Sequence, residues 1–275
     1  MTGVFIVVLN WNGWHDTLAC LESLQQLQDT HAEIVVVDNA STDDSVPRIR
    51  EAYPSIKLLQ SATNLGFGGG CNLGLRHAIQ AGAQFVWLVN SDATVEPSAL
   101  SELLAFAMAQ PQAGVVGSVI FEAGQKDKVQ VWGGGCVDLW RGTSRHLQSA
   151  GALDFVSGAS MLLRVQALHN TGLFDEQTYF MYWEDTDLCF RLRRQGWHLA
   201  VAERSRIWHK ESASLGKGSP ALDEYFTRSG VRFLRLYAAL PRVAATYMLT
   251  RMIVKRLLLG QTARIGAVWR GLVNA

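Results

Sequence analysis

The sequence predicts an α/β protein built on an open, doubly wound sheet and followed by a helical tail. Three observations carry this. Over the first 120 residues, short apolar β-branched runs alternate with segments of helical periodicity, the rhythm of βαβ units. That rhythm fails from about residue 124, and after Ser219-Pro220 the chain turns helical and amphipathic. The composition, 48% apolar and 18% charged over 275 residues, gives a globular chain with a sizeable core and excludes a disordered one.

Val4–Leu9 is a continuous apolar run, as expected of a strand buried on both faces. Thr17–Leu27 sets Leu18, Leu21, Leu24 and Leu27 at helical spacing. Ile34–Val37 is a second strand, Ser45–Tyr53 a short helix and Ile56–Leu59 a third strand. Asn64–Gly70 reads as a glycine-rich loop opening a helix over Cys71–Ala81. Phe85–Val89 is a fourth strand, ending in Asn90-Ser91-Asp92. Pro97 suits the first position of a helix running to about Met108, and Val115–Phe121 is a fifth strand. Val129–Arg141 reads as a hairpin or inserted loop and Phe155–Arg164 as a strand. Asp185–Gln195 reads as a helix closed by Gly196.

A formal net charge of +1 conceals an asymmetry. From Tyr225 onward there are nine basic residues and no acidic one, whereas the first 224 residues carry a net charge of −8. Such a tail is suited to an anionic surface. Phe226, Phe233, Leu234, Tyr237 and Leu240 recur at helical spacing with Arg228, Arg232 and Arg235. Met248, Met252 and Leu259 repeat the pattern against Arg251 and Lys255. The longest uncharged run in this tail, Val243–Thr250, is too short to span a bilayer. The tail is therefore expected either to lie in a membrane interface or to cap the sheet. Cys20, Cys71, Cys136 and Cys189 form no CxxC pair, which argues against a cysteine zinc site and for reduced thiols. Val4–Leu9 is too short for a signal-peptide core and has no basic segment before it. Leu103–Phe121 is interrupted by Gln110, Pro111, Gln112 and two glycines, so it does not read as a membrane span. A cytoplasmic location is expected.

Ligands of open α/β sheets bind beyond the carboxyl ends of the strands. Here those ends are Asn10-Trp11-Asn12, Asp38-Asn39-Ala40-Ser41-Thr42-Asp43, Asn64 with its glycines, and Asn90-Ser91-Asp92. Each alone is ordinary turn punctuation; four convergent ends point to a ligand. Gly66 to Gly70 would let backbone approach a ligand closely, but the segment follows the third strand, unlike a dinucleotide fingerprint. Asp92 offers a hard oxygen to Mg²⁺ or Mn²⁺, with helix capping as its competing role. Between Tyr179 and Asp187, five large apolar residues precede three carboxylates. The helix dipole accounts for Asp187. A carboxylate at the edge of an aromatic wall is a good general base for a sugar hydroxyl. His209 is a candidate second metal ligand.

Taken in order, these segments resemble the family 2 inverting glycosyltransferases, and within them the rhamnosyltransferase-like group. The match runs from about Val4 to Tyr225 and includes Val156–Arg164, Gly172–Glu176 and Phe180–Arg191. The resemblance implies a GT-A fold with a Rossmann-like sheet, a nucleotide-diphosphate sugar donor (dTDP-rhamnose first, a UDP-sugar second) and bound Mg²⁺ or Mn²⁺. It implies a saccharide or lipid-linked saccharide acceptor in cell-surface polysaccharide assembly, on an anionic membrane surface, and no nucleic-acid partner. By the family pattern Asp38 contacts the base, with Asn39 beside it, and Asn10, Asn64, Gly66 and Gly70 frame the nucleoside. Asn90 takes the first place of the Asp-x-Asp motif, so one carboxylate is missing there, while Asp92 and His209 hold the metal. Asp185 of the Glu184–Asp185 pair is the base, with Trp183 in the sugar-facing wall. Its place at a helix N-terminus is expected to keep Asp185 ionised near neutral pH. The implied organisation is a catalytic domain over 1–220, with a nucleotide-binding half to about 122 and an acceptor half over 123–220, and a basic helical tail over 221–275. Two other readings remain open: a nucleotidyltransferase, which has no need of the aromatic Glu-Asp cluster, and a non-catalytic carbohydrate-binding relic. Asn90 favours the relic, and Asp38, Asp92, Asp185 and His209 oppose it.

Overall fold

A computed structural model describes residues 3–28, 31–125, 127–210 and 219–275. The first part winds as β1 (Val4–Asn10), α1 (Trp14–Gln25), β2 (Glu33–Asp38), α2 (Ser45–Ala52), β3 (Lys57–Gln60), α3 (Gly66–Gln80) and β4 (Phe85–Asn90). A short β5 (Ala93–Val95) follows, then α4 (Ala99–Ala109) and β6 (Ala113–Glu122). Next come β7 (Val129–Trp132), β8 (Gly134–Asp138), β9 (Thr143–His146), β10 (Phe155–Val156) and β11 (Ser160–Arg164). Helices α5 (Val165–Thr171) and α6 (Glu184–Arg194) lead into the long strand β12 (His198–His209). The tail is α7 (Pro220–Tyr237), α8 (Pro241–Leu258) and α9 (Thr262–Val273).

Among the described residues one sheet runs β3-β2-β1-β4-β11-β6-β12-β5, with β7 also on β6. The β1–β4 quartet is parallel; the apolar runs of β1, β2 and β4 are buried on both faces, and β3 at the edge is half-buried. One apolar cluster lies on the α1, α2 and α4 side, a second on the α3, α5 and α6 side. Each fully buried Leu, Ile or Val contributes about 1.5–3 kcal/mol relative to exposure.

The expected doubly wound order changes beyond β4. Instead of β6, antiparallel β11 pairs with β4, and β6 comes next. The apolar run at 161–163 fits any central strand, so it does not announce direction. The expected single strand over Phe155–Arg164 is two strands in two sheets, because β10 joins β8 and β9 in a small antiparallel sheet. Helix α4 begins at Ala99 with Ser98 as its N-cap, two residues after Pro97. The glycine segment is not a loop but the first turn of α3. Gly66 has φ +74°, and a Cβ there would overlap the Phe180 carbonyl, which accepts a 2.9 Å hydrogen bond from the Phe67 N–H. A Cβ on Gly70 would meet the Leu9 side chain. The glycines therefore let a helix, rather than a loop, sit close to neighbouring chain.

The apolar face of α7 is core. Val231, Phe233 and Leu234 are buried with Tyr179, Trp183, Ala244 and Met248 in a third cluster. Several tail arginines are held internally. Asp223 accepts from Arg256 Nη2 at 2.8 Å and from Arg264 Nε at 2.6 Å, and Arg270 pairs with Glu224. Arg232 donates to the Thr178 and Asn274 carbonyls. For α7, capping the fold is therefore the realised alternative. No helix among the described residues is long and apolar enough to cross a membrane.

Candidate functional site

Strand register brings the polar ends together. Asn10 is level with Asp38, Leu9 with Asn90, and Asp38 with Gln60. At the other side, β12 ends with His209 paired to Ala93, which carries His209 to the Asp92 turn. A cleft of about 390 Å³ opens at these ends, within the usual size range of small-molecule sites. Asn39, Asn64 and Gly66 line one part of it, Asn90, Ser91, Asp92 and His209 another, and Glu184 and Asp185 a third.

Four predicted residues do not reach its wall. Asn10 and Asp38 lie beneath it, at 0% and 2% exposure. Asn10 Nδ2 donates to Asp38 Oδ1 at 2.8 Å, and Asp38 Oδ2 accepts the Ser41 N–H, so both carboxylate oxygens are already engaged in joining the first two loops. Gly70 packs on Leu9. Trp183 is buried against Phe226 and Phe233, and the aromatic rings that line the cleft are those of Tyr182, Trp11 and Phe67. Consecutive φ values are positive at Tyr182 (67°) and Trp183 (70°), and both rings meet Phe226, with Tyr182 also lining the cleft while Trp183 is buried. Among the described residues the non-glycine positions with positive φ are Asn12, Ala40, Tyr182 and Trp183, all on loops bordering the site. Each costs of order 1–3 kcal/mol, strain that clusters at functional sites.

Asn39 Nδ2 donates to Asn64 Oδ1 at 3.0 Å and to the Gly66 carbonyl, while its Oδ1 accepts the Leu65 N–H. These bonds fix the turn into α3.

At the opposite wall His209 Nδ1 lies 3.0 Å from Gln130 Oε1, an acceptor. Gln130 thereby orients the ring so that Nε2 faces the Asn90–Asp92 turn. Nε2 is 3.2 Å from Asn90 Nδ2 and 3.1 Å from Asp92 Oδ1. An imidazole and a carboxylate this close could pair with each other directly or share a cation. The pair fits a divalent metal whose remaining ligands come from substrate or water. No group of three or more His, Cys, Asp or Glu side chains poised for a metal occurs among the described residues.

Asp185 stands in the first turn of α6. Its Oδ2 accepts the Gly158 N–H at 3.0 Å, and its Oδ1 accepts the Thr186 N–H at 2.6 Å and the Thr186 hydroxyl at 3.1 Å. Burial pushes the carboxyl above its ordinary value; the Gly158 and Thr186 donors, then His146, pull it back. The dipole argument alone did not anticipate that upward push. Glu184 is raised further, by burial first and the Asp185 charge second. Asp187 faces away from the cleft, bound to Arg191 Nε at 2.7 Å and to the Tyr237 hydroxyl at 2.7 Å.

His146, Gly158 and Gln130 were not singled out by sequence reasoning. His146 reaches the cleft from β9 of the small sheet, and no spacing rule relates it to position 185.

Comparisons with known proteins bear on family and fold. The family described as "Glycosyltransferase like family 2" matches residues 2–224. An N-acetylglucosaminyl-diphospho-decaprenol L-rhamnosyltransferase of Mycobacterium tuberculosis is 28% identical over 223 residues, 72% of each chain. A low-salt glycan biosynthesis hexosyltransferase, Agl10 of Haloferax volcanii, is 23% identical over 200 residues, 69% of this chain and 61% of its own. Among solved structures, a mannosyltransferase from Pyrobaculum calidifontis in complex with GDP-Man and Mn²⁺ aligns over 98% of this chain and 74% of its own, at 17% identity and TM-score 0.62. GalNAc-T7 with UDP, GalNAc and Mn²⁺ aligns over 88% and 49%, at 16% identity and TM-score 0.70.

Proposed function

The chain belongs to the glycosyltransferase-like family 2 and has its GT-A fold; from that premise we propose that it is an inverting, metal-dependent transferase acting on a nucleotide-diphosphate sugar. The donor we favour is dTDP-rhamnose, ahead of UDP-sugars, and the acceptor a saccharide carried on a lipid. The name of the mycobacterial relative supports both the sugar and the lipid carrier. The observation that carries the reading is one cleft with Asp185 on one wall and the Asp92–His209 pair on another.

The nucleoside rests on Asn39, Asn64 and Gly66, with Asn10 and Asp38 beneath, holding the loops in register. Asp92 and His209 would hold the metal, which would neutralise charge developing on the departing diphosphate. Asp185 takes the proton of the acceptor hydroxyl as its oxygen bonds to the anomeric carbon; the bond from that carbon to the diphosphate breaks on the opposite face, and configuration inverts. Gly158 and Thr186 fix the carboxylate for this, and the cleft supplies orientation. Residues 1–220 form the catalytic unit, its donor half ending near 122, and 221–275 the tail.

We place the chain at the cytoplasmic face of a membrane as a peripheral protein. What supports this is α8 rather than α7. Leu240, Val243, Tyr247, Val254 and Leu258 follow one another at helical spacing and are 46–83% exposed. Arg251 and Lys255 flank that stripe and form no ion pair among the described residues. Two copies meeting through this face would set like charges together, whereas an anionic bilayer meets both the apolar stripe and the cations.

A transfer assay over a panel of nucleotide sugars, with and without Mn²⁺, tests the enzymatic reading. It expects metal-dependent turnover with an inverted product; a retained configuration would overturn it.

A further inference from the structure

One buried acid in the cleft has no part in the steps above. Glu184 lines the cleft wall beside Asp185, is 6% exposed, and leaves Oε2 without a hydrogen-bond partner. It packs against the first turn of α3: a Cβ on Gly68 would stand 3.6 Å from the Glu184 Cβ. The titratable groups around it are Asp185 and Asp187 on its own helix and the Cys71 thiol on α3. None supplies positive charge, and the one hydrogen bond favouring its ionised form comes from its own backbone N–H. An ionised carboxylate in this place would be a buried anion beside a second anion, with one oxygen unsatisfied, which is strongly unfavourable.

We propose that Glu184 works as a neutral carboxylic acid, donating a hydrogen bond to a hydroxyl of the acceptor sugar whose neighbouring hydroxyl Asp185 deprotonates, while its buried Oε2 stays unpartnered inside the wall. The chemistry of the two edges separates the roles. A protonated carboxyl both donates and accepts, the pattern that matches an alcohol. The ionised Asp185 is acceptor-only and is held by three donors. Burial, and after it the Asp185 charge, raises the Glu184 carboxyl well above the usual carboxylate range, and two adjacent acids in one wall favour sharing a single charge over both ionising. The phosphates of the donor are served elsewhere, at Asp92 and His209, which leaves Glu184 to the sugar. Its loss should weaken acceptor binding, because a buried site built around a hydroxyl discriminates strongly.

The identity of the hydroxyl rests on the glycosyltransferase reading; the proton does not. Infrared difference spectra of the full chain at neutral pH, wild type against Glu184→Gln, read the proton directly. A protonated-carboxyl stretch present in the wild type and missing from the variant is expected. A wild type without that band, or a band unchanged in the variant, overturns the neutral acid whatever the enzyme's activity. Kinetics read the role. Glu184→Ala should raise the acceptor KM at least tenfold, while dTDP and UDP affinities, measured by calorimetry, stay within twofold. Glu184→Gln, which keeps an N–H donor, should recover most of that KM loss and flatten the alkaline limb of kcat/KM. A Gln variant no better than Ala would overturn donation to the acceptor. Absence of turnover in the wild type with every donor would sink the transferase reading instead, and with it the acceptor role, leaving the infrared result to decide the proton.

Discussion

Replacing Asp185 with Asn separates basicity from shape. The carboxylate receives donors on both oxygens: Gly158 N–H on Oδ2, and the Thr186 N–H and hydroxyl on Oδ1. An asparagine oxygen can serve only one side. Placed toward Thr186 it keeps two of the three bonds and turns its NH2 toward the Gly158 N–H, leaving a donor unsatisfied at about 1–3 kcal/mol. Against this, the neutral amide escapes the burial that raises the carboxyl. The net stability loss should fall near the lower end, about 1 kcal/mol, or roughly 2–4 °C in Tm for a chain of this size. The chemical loss is larger. Removing a general base costs roughly 10²–10⁴ in rate, which is about 2.7–5.4 kcal/mol of barrier at 1.36 kcal/mol per decade. The assay is steady-state transfer with saturating donor, paired with calorimetric binding of the nucleotide and thermal unfolding. A folded variant that binds nucleotide normally and turns over at least a hundredfold more slowly is expected. Turnover within tenfold of wild type would refute Asp185 as the base.

Other outcomes follow from the same geometry. A chelator should abolish transfer and added Mn²⁺ or Mg²⁺ restore it; Asp92→Ala should lose at least a hundredfold and His209→Ala less, and chelator-resistant turnover would remove the metal from the mechanism. Gly66→Ala forces a side chain into φ +74° and against the Phe180 carbonyl. Its strain alone is of order 1–2 kcal/mol, so thermal unfolding should come at least roughly 2–4 °C earlier; an unchanged Tm would contradict the close approach. Val243→Glu with Tyr247→Glu should abolish co-sedimentation with anionic vesicles at low salt, since each cation near such lipid is worth about 1 kcal/mol and added like charge opposes it. Equal binding by that variant, or indifference of the wild type to anionic vesicles, would take the bilayer away from α8.

The parallel quartet β1 to β4 was legible because its signal is local. Runs such as Val4–Leu9 and Phe85–Val89 are apolar throughout, and in a βαβ chain such runs have one place to go. The insertion of β11 was not legible, because an apolar triplet buried on both faces is equally at home parallel or antiparallel. The glycines at 66 to 70 misled for a related reason. Glycine marks either chain reversal or close approach, and the partner demanding close approach here, Phe180, lies more than a hundred residues away.

The tail shows where composition stops being informative. Nine cations without an acid look like one surface, yet Arg256 and Arg264 are spent on Asp223 and Arg270 on Glu224, the last two acids before the basic run. The periodicity of α7 was real, but a stripe of Phe233 and Leu234 states only that a helix has an apolar face, not what covers it; here Trp183 does. That contact ties the tail to the site. Trp183 is buried in the tail cluster, Tyr182 packs on that cluster while lining the cleft, and Glu184 and Asp185 begin α6 immediately after. Asp187, two residues on, is bound by Tyr237 of α7. The start of α6 is thus anchored from the tail side by an aromatic cluster and a buried hydrogen bond, and from the sheet side by Gly158. An acidic triplet after five large apolar residues therefore reads, once folded, as three separate environments: a buried acid with an unpartnered oxygen, a carboxylate held by Gly158 and Thr186, and a clasp on Arg191 and Tyr237.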